Sequence, residues 1–223
     1  MFNVGPSSHV DAPFSAKWTM CFALNRAAKI TGIQVPMRRE RLQGLRLSIV
    51  SGGRELAKAK LIRRGEGNIS ARIDDTRFVV TPTGKDKGKL DVDDLVEVEI
   101  DSHRAPDGAS TESGMHRAIY KRFPSVHAVI HAHPAKVLAL ADDGLAPDPS
   151  LLLNGGGILD RVAWIDDFAP GTRSLAEEVA KGISKAPALV LPAHGAVTIG
   201  ATVDQAVLRM IRLERLALMT RGG

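Results

Sequence analysis

Cysteine is nearly absent, with Cys21 alone among 223 residues. A single thiol excludes an intrachain disulfide and any cysteine-rich zinc cage, and it predicts a cytoplasmic protein. Aromatic residues are scarce at 4%, and Tyr120 is the only tyrosine, so the chain has few surfaces on which bases could stack. No apolar run is long enough to span a membrane. The first residues place Asp11 and Lys17 before a short, interrupted apolar patch, which is not the layout of a secretory signal. Internal repeats and low-complexity runs are also missing. What is present, 44% hydrophobic and 25% charged residues, predicts one sizeable globular core.

The formal charge of +5 is concentrated at the front: Met1 to Arg64 holds 12 Lys and Arg against 3 Asp and Glu, and the remainder holds 18 against 22. With no nucleic-acid-binding motif beside it, this front reads as a solvated basic helix face.

Residues 1 to 14, rich in Gly, Pro and Ser, form a lead, and a first helix is expected over Ser15 to Ile30. Arg38 to Ile62 has helical spacing of Leu45, Ile49, Leu56 and Leu61, with Gly52-Gly53 predicting a break into two helices. Strands are expected at Phe78–Thr81, Leu95–Ile100, Val162–Ile165 and Ala188–Leu191, the last continued by Val197–Ile199. Capping boxes at Ser174-Leu-Ala-Glu177 and Thr202-Val-Asp-Gln205 should open the last two helices.

Three segments could hold an anion. In Gly65-Glu-Gly-Asn-Ile-Ser70, backbone amides and the side chains of Asn68 and Ser70 could converge on one, although a tight hairpin turn accounts for the same residues. Thr81-Pro-Thr-Gly84 repeats the idea, and the Lys85, Lys87 and Lys89 that follow could attract a phosphate, although with Asp86 and Asp91 interleaved they read as a solvated loop. Ser110, Thr111 and Glu112 should open a helix running to about Phe123, with free amides at its positive end.

The chemistry centres on His127-Ala-Val-Ile-His-Ala-His-Pro134. On a strand, His131 and His133 leave one face with Val129, while Ala128, Ile130 and Ala132 pack on the other. Two imidazoles on a rigid strand make one arm of a metal site. Glu112 upstream and His194 after the Ala188 strand are further donors, and His116 reads as a structural hydrogen-bonding group.

Taken together, Gly67-Asn-x-Ser70, Thr81-Pro-Thr-Gly84, Ser110-Thr-Glu112 with His116, His131-Ala-His133 and Leu191-x-x-His-Gly195 resemble the class II aldolase/adducin family, and most of all its L-fuculose-1-phosphate aldolase branch. The resemblance covers roughly Leu45 to Met219. It implies a three-layer α/β/α fold with a central, mostly antiparallel sheet. The domain would occupy residues 41–223, behind a partly helical N-terminal extension over 1–40. Also implied is a homotetramer with active sites between subunits. By the same resemblance His131, His133 and His194 hold zinc, for which manganese, cobalt or iron could substitute. Glu112 is the catalytic acid/base, and Asn68, Ser70, Thr83, Gly84, Ser110 and Thr111 line a phosphate pocket.

The activity so implied is reversible cleavage of a ketose 1-phosphate to dihydroxyacetone phosphate and an aldehyde through a zinc-stabilised enediolate. Dehydration, epimerisation and decarboxylation of related sugar phosphates or acids occur in the same family, and adducin-type members are interaction modules. One departure stands out. Fuculose-phosphate aldolases carry a tyrosine in the region after the His-x-His strand, and Ser150-Leu-Leu-Leu-Asn154 here has none.

Overall fold

The computed structural model describes residues 37–152, 159–166 and 168–222. The helix expected over Ser15 to Ile30 lies outside them, as do Leu153, Asn154 and the Gly155-Gly-Gly157 corner.

Among the described residues seven strands form one sheet: β1 (Asn68–Arg72), β2 (Arg77–Val80), β3 (Val96–Glu99), β4 (Ala128–Ala132), β5 (Val162–Trp164), β6 (Ala188–Leu191) and β7 (Gly195–Gly200). Their order is β3-β2-β1-β4-β7-β6-β5, and only the β5–β6 pair is parallel. Five helices accompany it: α1 (Met37–Lys58), α2 (Ser113–Arg122), α3 (Ala135–Asp142), α4 (Arg173–Ile183) and α5 (Val203–Gly222).

Strand side chains alternate, so the sheet has two apolar faces and needs a helical layer on each. Ile69, Val79, Ile130 and Val190 pack with Ile49 and Leu56 of α1, Val137 and Leu140 of α3, and Val207, Met210 and Leu213 of α5. Phe78, Val80, Val129, Leu189 and Val197 pack with Met115, Ile119 and Tyr120 of α2 and Leu175 and Val179 of α4. Val129 therefore faces α2 and α4 while Ala128, Ile130 and Ala132 face the other layer, as strand periodicity requires. This is the three-layer α/β/α fold with a mostly antiparallel sheet.

Three local expectations are corrected. Gly52-Gly53 does not divide α1, because both glycines are points of close contact. A Cβ on Gly53 would stand 2.2 Å from the Lys87 carbonyl oxygen, and one on Gly52 3.0 Å from Val203. Packing outweighs a propensity cost of about 1 kcal/mol per glycine. The segment after His194 does not prolong β6 but doubles back beside it as β7, pairing Leu191 with Gly195. The cap of α4 is Thr172, whose Oγ1 accepts from the Leu175 amide at 3.2 Å, not Ser174. Thr202 does cap its helix, accepting from the Gln205 amide at 3.1 Å, but the Gln205 side chain accepts from the Ala201 amide at 2.8 Å, so the reciprocal half of the expected box falls one residue earlier.

Strand order decides what meets at the site. β4 lies between β1 and β7, with Asn68 opposite His131 and Ala132 opposite Ala196. The β6–β7 turn carrying His194 thus falls beside the end of β4.

Candidate active site

His131 is the penultimate residue of β4 and fully buried, while His133 follows the strand's end, where its amide donates to the Leu61 carbonyl at 3.2 Å. His194 sits in the tight β6–β7 turn, which Ala193 closes in the left-handed conformation, with φ of 54°. The three imidazoles each bring a ring nitrogen within 4.8 Å of the others.

The donor chemistry fits a cation. His131 Nδ1 lies 3.1 Å from the Ala196 carbonyl oxygen, which can only accept, so Nδ1 carries the proton and Nε2 is a bare lone pair. Burial keeps that ring neutral, pushing its pKa down to about 4. The lone pair faces His133 Nε2 at 3.1 Å and the Glu112 carboxylate at 3.4 Å. Acceptors turned towards one another in a buried pocket repel unless a proton or a metal ion lies between them. A second unsettled atom is His194 Nδ1, which is buried and has no hydrogen-bond partner among the described residues.

Glu112 is the N-cap residue of α2, so this helix begins one residue after it; Ser110 and Thr111 precede the helix and do not form its first turn. Its Oε1 is 3.1 Å from His194 Nε2 and its Oε2 accepts from Asn68 Nδ2 at 2.7 Å. Burial opposes ionisation, but the His194 hydrogen bond, the nearby His131 and His194 rings and the Asn68 amide outweigh it and hold the carboxyl at about 2. An ionised carboxylate beside three imidazoles that could hold a metal ion can accept a proton and return it.

Asn68 and Ser70 are on β1 rather than in a turn, and both point at α2. Asn68 Oδ1 pairs with His116 Nε2, and Ser70 Oγ lies 2.6 Å from His116 Nδ1 and 2.8 Å from the Tyr120 hydroxyl. With Ser70 fully buried and its hydroxyl engaged at both neighbours, its side chain is turned away from the expected anion pocket. His116 is a hydrogen-bonding residue, as anticipated.

Thr83, Gly84 and Thr111 are exposed on neighbouring loops, and Ser110 is buried between them. Thr83 N donates to Gly108 O at 3.0 Å and Ser110 N to Thr81 O at 3.2 Å, which joins the two loops edge to edge. The Gly65 turn completes the rim, its α-carbon facing the Gly84 carbonyl.

Two residues escaped the sequence. Lys87 is only 1% exposed, in place of the solvated side chain expected: its ammonium donates to Lys85 O at 2.8 Å and Gly65 O at 3.3 Å, tying two of the rim loops together from beneath. The 3-10 turn over Lys87–Lys89 aims it inward. Glu66 places a carboxylate oxygen 3.6 Å from His133 Nδ1, where it favours the tautomer whose Nε2 faces the other imidazoles. No motif flagged Glu66, and the charges interleaved with Lys87 made its run read as solvated.

A sheet flanked by helices, with three convergent imidazoles that could hold a metal ion and one carboxylate beside them, is an arrangement suited to an α/β enzyme. Residues 48–220 match the model of the class II aldolase and adducin N-terminal domain, and the chain belongs to that family. It is 35% identical over 168 residues to a methylthioribulose-1-phosphate dehydratase of Pectobacterium carotovorum, covering 67% of this chain and 80% of that protein. It is 32% identical over 162 residues to a 3-oxo-tetronate 4-phosphate decarboxylase of Haemophilus influenzae, covering 69% and 75%. The crystal structure of L-fuculose-1-phosphate aldolase from Thermus thermophilus superposes with a TM-score of 0.72 at 30% identity, over 82% of this chain and 95% of that one.

Proposed function

We propose that this protein is a metal-dependent lyase acting on a ketose 1-phosphate, with His131, His133 and His194 as metal ligands and Glu112 as the proton carrier. The observation that supports this most directly is the placement of the Glu112 carboxylate 3.1 and 3.4 Å from the ring nitrogens of His194 and His131. A divalent cation held there, zinc in our assignment with manganese, cobalt or iron as substitutes, supplies the electrophile that draws charge onto the carbonyl and neighbouring hydroxyl oxygens.

Glu112, ionised at neutral pH, takes a proton in one direction and returns it in the other. Thr83, Gly84, Ser110 and Thr111 grip the phosphate. Asn68 and Ser70 stand behind that grip and hold Glu112 in place. The related proteins named above carry a phosphorylated sugar or sugar acid in their names, which is the substrate class the rim of small polar residues suits.

Our finer assignment is aldol cleavage between C3 and C4: Glu112 takes the C4 hydroxyl proton as that carbon becomes the aldehyde and returns it to C3, which completes dihydroxyacetone phosphate. A second assignment, dehydration, has its own observation in favour. Tyr120 is 1% exposed and bonded to Ser70, so the chain's one phenol is not available to protonate an aldehyde oxygen. In dehydration Glu112 removes the C3 proton and passes it to the C4 hydroxyl, which departs as water. We further assign residues 41–223 to one catalytic domain, working in the cytoplasm as a homotetramer with sites between subunits.

A panel of ketose 1-phosphates incubated with metal-loaded protein, with and without chelator, tests the proposal. Dihydroxyacetone phosphate supports cleavage, and a product lighter by one water supports dehydration. Neither product from any metal-loaded reaction would end the lyase assignment.

A further inference from the structure

Five side chains from two elements, β1 and α2 with its N-cap, form one buried hydrogen-bonded chain ending on Glu112: Tyr120, Ser70, His116, Asn68, Glu112. Tyr120, Ser70 and His116 are at most 1% exposed and Asn68 2%. In so dry a place each donor must meet an acceptor, and this fixes the direction of every bond.

The carboxylate can only accept, so Asn68 turns Nδ2 towards it and Oδ1 away. Oδ1 is an acceptor, so the His116 nitrogen facing it, Nε2, carries hydrogen. A buried imidazole without a counter-charge in contact is neutral, so Nδ1 is a lone pair and Ser70 Oγ donates to it. Ser70 has then spent its hydrogen, and Tyr120 donates to Ser70. Every bond points the same way, towards Glu112, and hydrogen bonds aligned in series strengthen one another.

We infer that His116 is a positioning residue for Glu112: by holding Asn68 Oδ1, it keeps the carboxamide's N–H, and not its oxygen, against the proton-carrying carboxylate. An asparagine carboxamide is nearly symmetric in shape, and β1 alone does not select between its two orientations. With the acceptor end released, the carboxamide is held by one of its two bonds only, and its N–H no longer fixes where the carboxylate stands. Helix α2 carries both Glu112 at its N-cap and His116 one turn on, so the same helix places the carboxylate and the imidazole that steadies it through β1. This inference rests on Glu112 being the proton carrier.

The test compares His116→Gln, whose amide nitrogen can stand where Nε2 does, with His116→Asn, whose shorter side chain reaches only the Nδ1 position. We expect His116→Gln to keep kcat within about threefold and His116→Asn to lose roughly 100-fold, with KM and bound metal alike in both. In the full chain, long-range nitrogen–proton NMR should show the His116 ring neutral with hydrogen on Nε2 at pH 7, a readout that needs no substrate. Hydrogen on Nδ1, or equal kcat in the two variants while both remain folded, would overturn the inference. Glu112→Gln separates the two levels of the claim. If it is inactive while the His116 variants are equal, only the positioning role falls; if it stays active, the proton-carrier assignment falls and takes this role with it.

Discussion

Gly195 stands so close to His131 that a Cβ added to it would lie 2.9 Å from that ring's Cε1, 2.8 Å from Cδ2 of His133 and 2.4 Å from the Ala132 carbonyl oxygen. The glycine after His194 is thus the floor on which two other imidazoles rest, and even a methyl group there must displace one of them. Gly195→Ala should cost about 1–3 kcal/mol of stability through overpacking. Metal affinity should fall roughly 10- to 100-fold as the rings are displaced. Urea unfolding and competition with a chelating dye read the two effects separately.

Metal loading should stabilise the protein. At a free ion concentration 1,000 times the Kd the gain is about 4 kcal/mol, visible as a higher thermal midpoint that chelator reverses. His194→Ala should abolish that shift, because two imidazoles of one chain segment do not enclose an ion. An unchanged shift in the variant would place the ion elsewhere.

Lys87→Met should weaken phosphate binding. Replacing the buried ammonium with a thioether of similar length leaves the rim loops near Gly65 and Lys85 without their shared donor and removes a positive charge beneath the anion. We expect KM for a phosphorylated substrate and Kd for inorganic phosphate to rise about tenfold, a loss of about 1.4 kcal/mol. Metal content should not change.

Acid should destabilise the metal-free protein, and His116 should account for a measurable part. Burial lowers its pKa from 6.5 to about 3, so between these values the unfolded chain binds a proton that the folded chain refuses. Stability therefore rises with pH across that window and is lost as pH falls. His131, lowered by burial to about 4, acts in the same sense. Removing one such proton with His116→Gln should flatten the stability–pH slope between about pH 4 and 6 by about 1.4 kcal/mol per pH unit. Urea midpoints across that range measure it.

Arg72→Met should be among the more destabilising single changes. The buried guanidinium donates to Tyr120 O and to Phe123 O at 3.2 Å, carbonyls that α2 leaves open at its end, and to Val126 O at 3.0 Å in the turn beyond. Stranding those carbonyls should cost about 2–4 kcal/mol. α2 carries Glu112, so activity should fall together with the folded fraction and no faster.

Much of this protein is written in local sequence. Alternation over residues 128–133 pointed His131 and His133 the same way, because strand period acts over a few residues, and the resemblance of Ser110-Thr-Glu112, His131-x-His133 and Leu191-x-x-His-Gly195 to the family's motifs marked the residues that meet. Tertiary structure decided the rest. Sheet order set β4 between β1 and β7 and so brought residues 68, 131 and 194 together. Packing against Lys87 and Val203 overrode two glycines and kept α1 whole. The same packing buried a lysine whose neighbours in sequence read as solvated, and turned Ser70 towards His116. Which polar group faces which cannot be read from a single segment, since a hydrogen bond's partner is selected by desolvation when distant segments close over it.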